Sequence, residues 1–176
     1  MQSLSKDELH AVLAAAKANS ERDWLMILFA YWHGGRATEV VTLTAGCIED
    51  GFVTLRRLKG SNTTIQPLMT HADPLLNERD ALLNFIGGMH SEQRIFSVSR
   101  TTFWRRMKQY GRTAGVPAHL ITPHSLKHSI AMHSIRLAGI ENTRVWLGHK
   151  NISSTGEYLK VTDAEAAAAI AQATRV

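Results

Sequence analysis

The sequence predicts a mainly α-helical fold with one small antiparallel β-sheet, an α+β domain. Helix-capping signals and helical periodicity recur along most of the chain, and one pair of β-rich segments flanks a turn that contains glycine. The 176 residues are enough for a single domain with a substantial core, and 44% apolar and 20% charged residues are typical of a globular protein.

Predicted helices fill the first part of the chain. "SKDE" (5–8) has the Ser-x-x-Glu pattern of a capping box and predicts a helix over the Ala-rich segment 6–18. Segment 21–33 is apolar nearly all round, so we expect a central helix that ends at the Gly-Gly pair behind it. "RATEVVTL" (36–43) predicts a further short helix.

A β-hairpin is predicted next. "FVTLRRL" (52–58) and "TTIQPL" (63–68) are rich in β-formers and lie on either side of "KGSN" (59–62), a hairpin-turn sequence. We therefore expect two strands in one small sheet.

The remaining segments are predicted to be helical. Segment 99–114 places Phe103, Met107 and Tyr110 on one side and its cations on another, and 123–139 begins at a proline and ends at a glycine. The other predicted helices are near 74–87, over 141–147 and from about 163.

Positive charge is concentrated in one stretch. Residues 94–160 carry 11 Lys/Arg against 2 Asp/Glu, whereas 1–93 carry 8 against 11 and 161–176 carry 1 against 2. Such a block favours a polyanionic partner, most readily nucleic acid, and the alternative is a basic face without a ligand.

Several classes of protein are excluded by composition. The single Cys47 excludes an internal disulfide framework, and the longest apolar stretch, 24–32, is too short to span a bilayer. The charged N-terminus is unlike a signal peptide. We find no Walker loop, no zinc-spaced Cys/His set and no clustered Asp/Glu for a two-metal site.

A set of polar residues lies at turns and helix ends rather than on periodic faces. They are Arg36 after a Gly-Gly pair, Lys59 at the hairpin tip, His124 and Lys127 one helical turn apart, His149 after a glycine, and Tyr158 nine residues further on. A tyrosine at a fixed distance past Gly-His suits a hydroxyl that must reach an electrophile. The alternative is structural: Arg36 could simply pair with Glu39, and Lys59 could be a solvated turn residue.

Four motifs resemble, in order and spacing, the catalytic domain of the tyrosine recombinases, the phage integrase family. They are "GGRATEVVTL", "LKGSNTTIQPL", "TPHSLKHSIAMH" and "LGHKNISSTGEYLK", and the resemblance covers roughly residues 4–160. It implies a helical DNA breaking-rejoining fold with a three-stranded sheet. It also implies a site-specific recombinase or integrase of a mobile element, cutting and rejoining strands through a covalent 3′-phosphotyrosine without metal or cofactor.

The resemblance implies a role for each matching residue. Arg36 matches a phosphate-clamping arginine, Lys59 the lysine that protonates the leaving oxygen, His124 a proton-transfer partner, His149 a phosphate-binding histidine and Tyr158 the nucleophile. One position departs, because Lys127 stands where the family motif His-x-x-Arg has arginine. Lysine supplies charge without the planar fork of donors, and losing one transition-state donor can cost about 10²–10³ in rate.

Double-stranded DNA is the implied partner, and the basic block supplies most of its expected contacts. The predicted DNA-binding residues are Arg56, Arg57, Arg100, Arg105, Arg106, Lys108 and Arg112. We expect His128 and His133 to be structural, and Trp104 and Trp146 to lie in the core.

The resemblance also implies an assembly and a location. The chain, 1–176, is expected to be a single catalytic domain without the N-terminal DNA-clamping domain usual in the family. The C-terminal segment 162–173 is expected to dock on a neighbouring subunit in a DNA-bound tetramer, with possible accessory proteins and no membrane. We expect a cytoplasmic, nucleoid-associated protein of prokaryotic or phage origin. A catalytically weak DNA-binding protein and a type IB topoisomerase-like enzyme remain the alternatives.

Overall fold

A computed structural model of the chain describes residues 3–58, 60–156, 158, 170 and 171. Its α-helices are, in chain order, α1 (Lys6–Asn19), α2 (Glu21–Trp32), α3 (Ala37–Val41), α4 (Arg79–Ile86), α5 (Arg100–Thr113), α6 (Pro123–Trp146) and α7 (Ser153–Gly156). Its strands are β1 (Ile48–Glu49), β2 (Phe52–Leu55) and β3 (Thr64–Pro67). The predicted mainly helical fold with one small antiparallel sheet is confirmed.

The central helix of the core is α2. Its side chains from Asp23 to Tyr31 are all buried, and it packs against α1, α5 and α6. The capping box predicted for α1 is present, since Ser5 Oγ accepts from Glu8 N at 3.1 Å and Glu8 Oε2 accepts from Ser5 N at 2.8 Å. This local signal explains why α1 begins where the sequence predicts.

The sheet is antiparallel in the order β1-β2-β3. Val53 of β2 pairs with Gln66 of β3, and Leu55 pairs with Thr64, so these four residues share the buried face. The two predicted strands are thus confirmed. The third strand, β1, has only two residues, too few for a sequence pattern to reveal it.

Helix α4 is shorter than predicted, because Arg79–Ile86 is helical but the first part of 74–87 is not. The N–H of Leu75 donates to the Asp73 side chain at 2.9 Å, a local bond that competes with helix formation. The carbonyl oxygens of Leu75 and Leu76 accept from tryptophan indoles of α2 at 3.0 Å. These carbonyl groups are therefore bonded to side chains rather than to backbone N–H groups of a helix.

Helix α6 carries the predicted helices 123–139 and 141–147 as one element with an interruption. Thr122 caps its start by accepting from Ser125 N at 3.1 Å, and Gly139, with φ of 81°, breaks the helical geometry inside it. This glycine takes a conformation that other residues rarely adopt.

Two predicted features fall outside the described residues. Lys59 is one, and the segment 162–173 is the other, apart from the helical Ile170 and Ala171. Within the described ranges, no helix is both long enough and apolar enough to cross a membrane.

Candidate active site

A cavity of about 410 Å³ lies where the start of α3, the β2–β3 turn, the start of α6 and the loop before α7 converge. Its lining includes Arg36, His124, Lys127, His149 and Tyr158. Five residues that the sequence predicts for catalysis therefore come together from distant parts of the chain. Gly60 and Ser61 of the turn also line the cavity, directly after Lys59 in sequence.

Glycine at two positions lets the segments that carry the cavity approach closely. Gly34 has φ of 57°, and a Cβ there would lie 2.5 Å from the Leu147 side chain, so the ends of α2 and α6 touch. Gly148 has φ of 69°, and a Cβ there would lie 2.7 Å from the carbonyl oxygen of Asn62. The N–H of Asn62 in turn donates to Gly148 O at 2.9 Å, which ties the hairpin turn to the loop that carries His149.

The guanidinium of Arg36 is held on the wall of the cavity. Its Nη1 donates to Glu39 Oε1 at 2.8 Å and to the carbonyl oxygen of Leu58 at 3.1 Å, and its Nη2 donates to Ser61 Oγ at 3.4 Å. The side chain is only partly buried, so the fork of donors is fixed while still facing the cavity. The ion pair with Glu39 therefore orients Arg36 without removing it from the site.

Glu39 is a positioning residue that sequence reasoning treated only as a partner of Arg36. Its Oε1 also accepts from Leu58 N at 2.9 Å, and its Oε2 accepts from Arg36 N at 2.9 Å and from Arg57 Nη1 at 3.4 Å. Burial would raise the pKa of Glu39, but the hydrogen bonds from Leu58 and Arg36 and the charge of Arg57 hold that pKa below its ordinary value. The carboxylate stays charged and fixes both arginines.

The structure corrects the prediction that Arg57 contacts DNA. The residue is only 8% exposed, and its guanidinium lies behind the cavity wall. It donates to the carbonyl oxygens of His33, Gly34 and Trp146, to Thr64 Oγ1 and to Glu39. Arg57 thus joins the ends of α2 and α6 to the hairpin, because carbonyl groups at helix ends lack partners within the helix.

Lys127 lies on the first half of α6 and is 3% exposed. Its Nζ is 3.5 Å from the carbonyl oxygen of Leu147. Burial, followed by the charges of Arg57 and Arg36, lowers the pKa of Lys127 to about 7, against the opposing effect of Glu39. The amine is therefore a cation whose charge depends on pH near neutrality.

His149 follows Gly148 and is 9% exposed. Its Nδ1 lies 2.9 Å from Thr155 Oγ1, so Nε2 is the ring nitrogen outside that contact, and the residue lines the cavity. Burial, then the charges of Lys127 and Arg36, lower the pKa of His149 to about 4, so the ring is neutral at neutral pH. A neutral ring that accepts from Thr155 at Nδ1 donates from Nε2.

The hydroxyl of Tyr158 lies 2.9 Å from Nδ1 of His128, and the tyrosine is 7% exposed. The His128 ring also packs edge-on against His124, with centroids 4.3 Å apart. Sequence reasoning placed His128 among the structural residues, although its i, i+4 spacing from His124 puts both rings on one helix face. That spacing is the signal that could have identified it.

A second cavity, of about 730 Å³, shares Arg36 and His124 with the first and extends to α5. Arg100 and Trp104 line this extension. The prediction that Trp104 lies in the core is wrong, since the residue is 47% exposed.

The other predicted DNA contacts are dispersed. Arg56 is exposed at a separate cavity that Glu39 also lines, and Arg105 and Arg112 are exposed on α5. Two further cations, Arg106 and Lys108, are engaged within the fold. Arg106 Nε lies 3.2 Å from Asp23 Oδ2, and Lys108 Nζ donates to Ala118 O at 2.6 Å. Arg100 is thus the predicted DNA contact of α5 that shares a cavity with Arg36 and His124.

The site offers fixed cations and hydrogen-bond donors to an anion. Within the described ranges, no three His, Cys, Asp or Glu side chains are grouped as ligands for a metal ion. The guanidinium of Arg36, the amine of Lys127 and Nε2 of His149 can meet the oxygens of a phosphate, and the phenol oxygen of Tyr158 lies at the same cavity.

Comparison with known proteins identifies a matching family and similar sequences. Residues 2–165 match the sequence profile of the phage integrase family. The tyrosine recombinase XerA of Pyrococcus furiosus is 34% identical over 170 residues, which cover 92% of this chain and 58% of the relative. The tyrosine recombinase XerD of Pseudomonas putida is 33% identical over 175 residues, covering 93% and 58%. The chain spans less than two thirds of the length of either relative.

Solved structures share the fold. The XerA recombinase superposes with a TM-score of 0.72 and 22% identity, over 99% of this chain and 64% of that one. XerH bound to its difH substrate gives a TM-score of 0.76 at 14% identity, over 97% and 54%. The catalytic core of lambda integrase gives 0.69 at 20% identity, over 85% and 92%. The chain belongs to the phage integrase family, the tyrosine recombinases, and has the fold of their catalytic domain.

Proposed function

We propose that this chain is the catalytic domain of a site-specific DNA recombinase or integrase, with Tyr158 as the nucleophile. The observation that carries the proposal is the convergence of Arg36, Lys127, His149 and the Tyr158 side chain on one cavity. A single backbone phosphate of DNA fits such a site, because its two free oxygens need cationic donors on more than one side.

The reaction follows from these groups. The phenol oxygen of Tyr158 attacks the phosphorus, the bond to the 5′ oxygen breaks, and the protein becomes joined to the 3′ phosphate. Arg36, Lys127 and Nε2 of His149 stabilise the charge that gathers on the phosphate oxygens. Lys59 supplies a proton to the leaving 5′ oxygen, and its neighbours Gly60 and Ser61 at the cavity support that role. A 5′ hydroxyl from another strand reverses the step, so no nucleotide is consumed.

Double-stranded DNA is the proposed substrate and partner. The cavity beside Arg100 extends the cationic surface away from the site, and Arg105 and Arg112 add exposed charge on the same helix. Two similar structures support assembly on DNA, since lambda integrase is described as a dimer on a COC′ core site and as a tetramer on a Holliday junction. We extend that assembly to this chain, with 162–173 as the segment that docks on a neighbour.

The relatives and the proposed substrate together indicate where this chain acts. The relatives named above are bacterial and archaeal, so we place this chain at the DNA of a prokaryote or one of its mobile elements, with accessory proteins where the target requires them.

A nicked suicide substrate tests the proposal. The protein is incubated with duplexes that carry candidate attachment or inversion sites from the source genome. Covalent complexes are then quantified on denaturing gels. We expect an adduct with the wild type and none with Tyr158→Phe, which keeps the ring but lacks the hydroxyl. Relaxation of plasmids without such a site would indicate a topoisomerase-like enzyme instead.

A second candidate is a DNA-binding protein with little catalytic activity. The observation in its favour is Lys127, which stands where the family motif has arginine and whose pKa is lowered to about 7. Stable binding of the same duplexes without an adduct in either protein would support this candidate and contradict the first.

A further inference from the structure

His128 contacts the atom that the proposed function makes the nucleophile. Its Nδ1 lies 2.9 Å from the Tyr158 hydroxyl, and the two ring centroids are 5.5 Å apart. The residue lies directly after Lys127 on α6, on the side of the helix that also carries His124. The contact joins the first turns of α6 to the segment behind α7, so it depends on the tertiary fold.

We propose that His128 holds the Tyr158 hydroxyl at the edge of the cavity and accepts its proton as the phenol oxygen attacks phosphorus. This inference rests on the proposed function and adds a catalytic residue to it. As the Tyr158 oxygen–phosphorus bond forms, the phenol proton moves to Nδ1 of His128. The phosphorus–5′ oxygen bond breaks, and the leaving oxygen takes a separate proton, for which Lys59 is the proposed donor. On rejoining, the proton on His128 returns to the tyrosine oxygen.

The surroundings of His128 keep the ring able to accept. Burial, then the charges of His124 and Lys127, lower the pKa of His128 to about 4, so the ring is neutral before DNA enters. A phosphate in the adjoining cavity brings negative charge, which favours the protonated ring and so raises its basicity when the transfer occurs. The neighbouring His149 is engaged differently, because its Nδ1 lies against Thr155.

The chain contains a matched control for this contact. His133 is on the same helix, and its Nδ1 lies 3.0 Å from the hydroxyl of Tyr31, a tyrosine of α2 outside the cavity. Replacing either histidine removes the same type of hydrogen bond to a phenol, but only one of those phenols is the proposed nucleophile.

The test measures the single-turnover rate of adduct formation on the nicked duplexes at saturating DNA. We expect His128→Ala to lower that rate by about 10²–10⁴, the usual contribution of a general base, and His133→Ala to leave it within about threefold of the wild type. Added imidazole is expected to restore part of the rate in His128→Ala only, because it can occupy the vacated space and accept the proton. His128→Gln keeps the size and a hydrogen bond but cannot take the proton, so it should fold and remain slow.

Two results would overturn the inference: a wild-type rate in His128→Ala or His128→Gln, or a loss in His128→Ala that imidazole does not restore. In either case the adduct formed by the wild-type protein still supports the proposed function. Absence of any adduct with the wild type would contradict the proposed function itself, so the two failures are distinguishable.

Discussion

Asn62 and Gly148 face each other so closely that no side chain fits between them. The Asn62 N–H donates to Gly148 O at 2.9 Å, and a Cβ on Gly148 would lie 2.7 Å from Asn62 O. The contact fixes the hairpin turn that carries Lys59 against the loop that carries His149. This backbone approach therefore sets how the hairpin turn and the His149 loop meet at the cavity.

We expect Gly148→Ala to lower the free energy of unfolding by about 2–4 kcal/mol, because it adds a clash with backbone to the strain of a positive φ. Adduct formation should fall as well, since the turn must move. Gly115→Ala is the control: φ there is 70°, but a Cβ meets nothing within 4 Å. Chemical denaturation of both variants measures the difference. Equal losses of stability would contradict the importance of the close approach.

The charge of Lys127 should limit cleavage at high pH. Because the pKa of Lys127 is lowered to about 7 by burial, Arg57 and Arg36, its amine loses the proton as pH rises through that value. The rate of adduct formation at subsaturating DNA, which reports the free protein, should fall about tenfold per pH unit above the pKa. Lys127→Arg should keep or raise cleavage and remove this decline, since a guanidinium stays protonated. A wild-type rate that stays level to pH 9 would refute the prediction.

The lowered pKa of Lys127 also predicts how the free energy of unfolding changes with pH. Between about pH 7 and the ordinary lysine pKa of 10.5, the unfolded chain binds more protons at Lys127 than the folded one. The contribution of Lys127 to the free energy of unfolding therefore rises with pH across that window. In Lys127→Met this part of the pH dependence should disappear from denaturation curves.

Arg57 is buried, whereas the adjacent Arg56 is exposed. Arg57→Met removes the buried guanidinium that donates to the carbonyl oxygens of His33, Gly34 and Trp146 and lies beside the Glu39 carboxylate, so we expect a loss of about 3–5 kcal/mol in the free energy of unfolding. Arg56→Met removes an exposed cation and should change that free energy by about 0.5 kcal/mol or less. Urea denaturation distinguishes them. Equal stabilities would mean that Arg57 does not join the elements behind the cavity.

Arg100 and Arg106 test the path of DNA on α5. Arg100 lines the cavity beside Arg36, whereas Arg106 pairs with Asp23. We expect Arg100→Ala to weaken binding to duplexes of any sequence and to reduce the slope of log K against log salt by about 1. Arg106→Ala should leave the slope near the wild-type value. Titrations at several salt concentrations measure both, and identical slopes in all three proteins would exclude a phosphate contact at Arg100.

The fold was predictable where the signals were local. The capping box at Ser5 and the proline at the start of α6 define helix starts, and Gly139 marks the interruption within α6, without reference to the rest of the chain. Prediction failed before α4, because the Asp73 side chain accepts from the N–H of Leu75. Two tryptophan indoles of α2 also donate to the carbonyl oxygens of Leu75 and Leu76. Those tryptophan contacts depend on tertiary packing, which no local pattern shows.

The site was predictable as a set of residues but not as a geometry. Arg57 was misplaced even though strand alternation puts it on the buried face of Val53 and Leu55. The contact of His128 with Tyr158 required the fold, since thirty positions of sequence separate the two residues.

One oxygen atom of Glu39 receives both the guanidinium of Arg36 and the backbone N–H of Leu58, the residue before Lys59. The same carboxylate therefore orients the guanidinium at the cavity and anchors the residue that leads into the turn. A substitution at Glu39 would disturb both places at once.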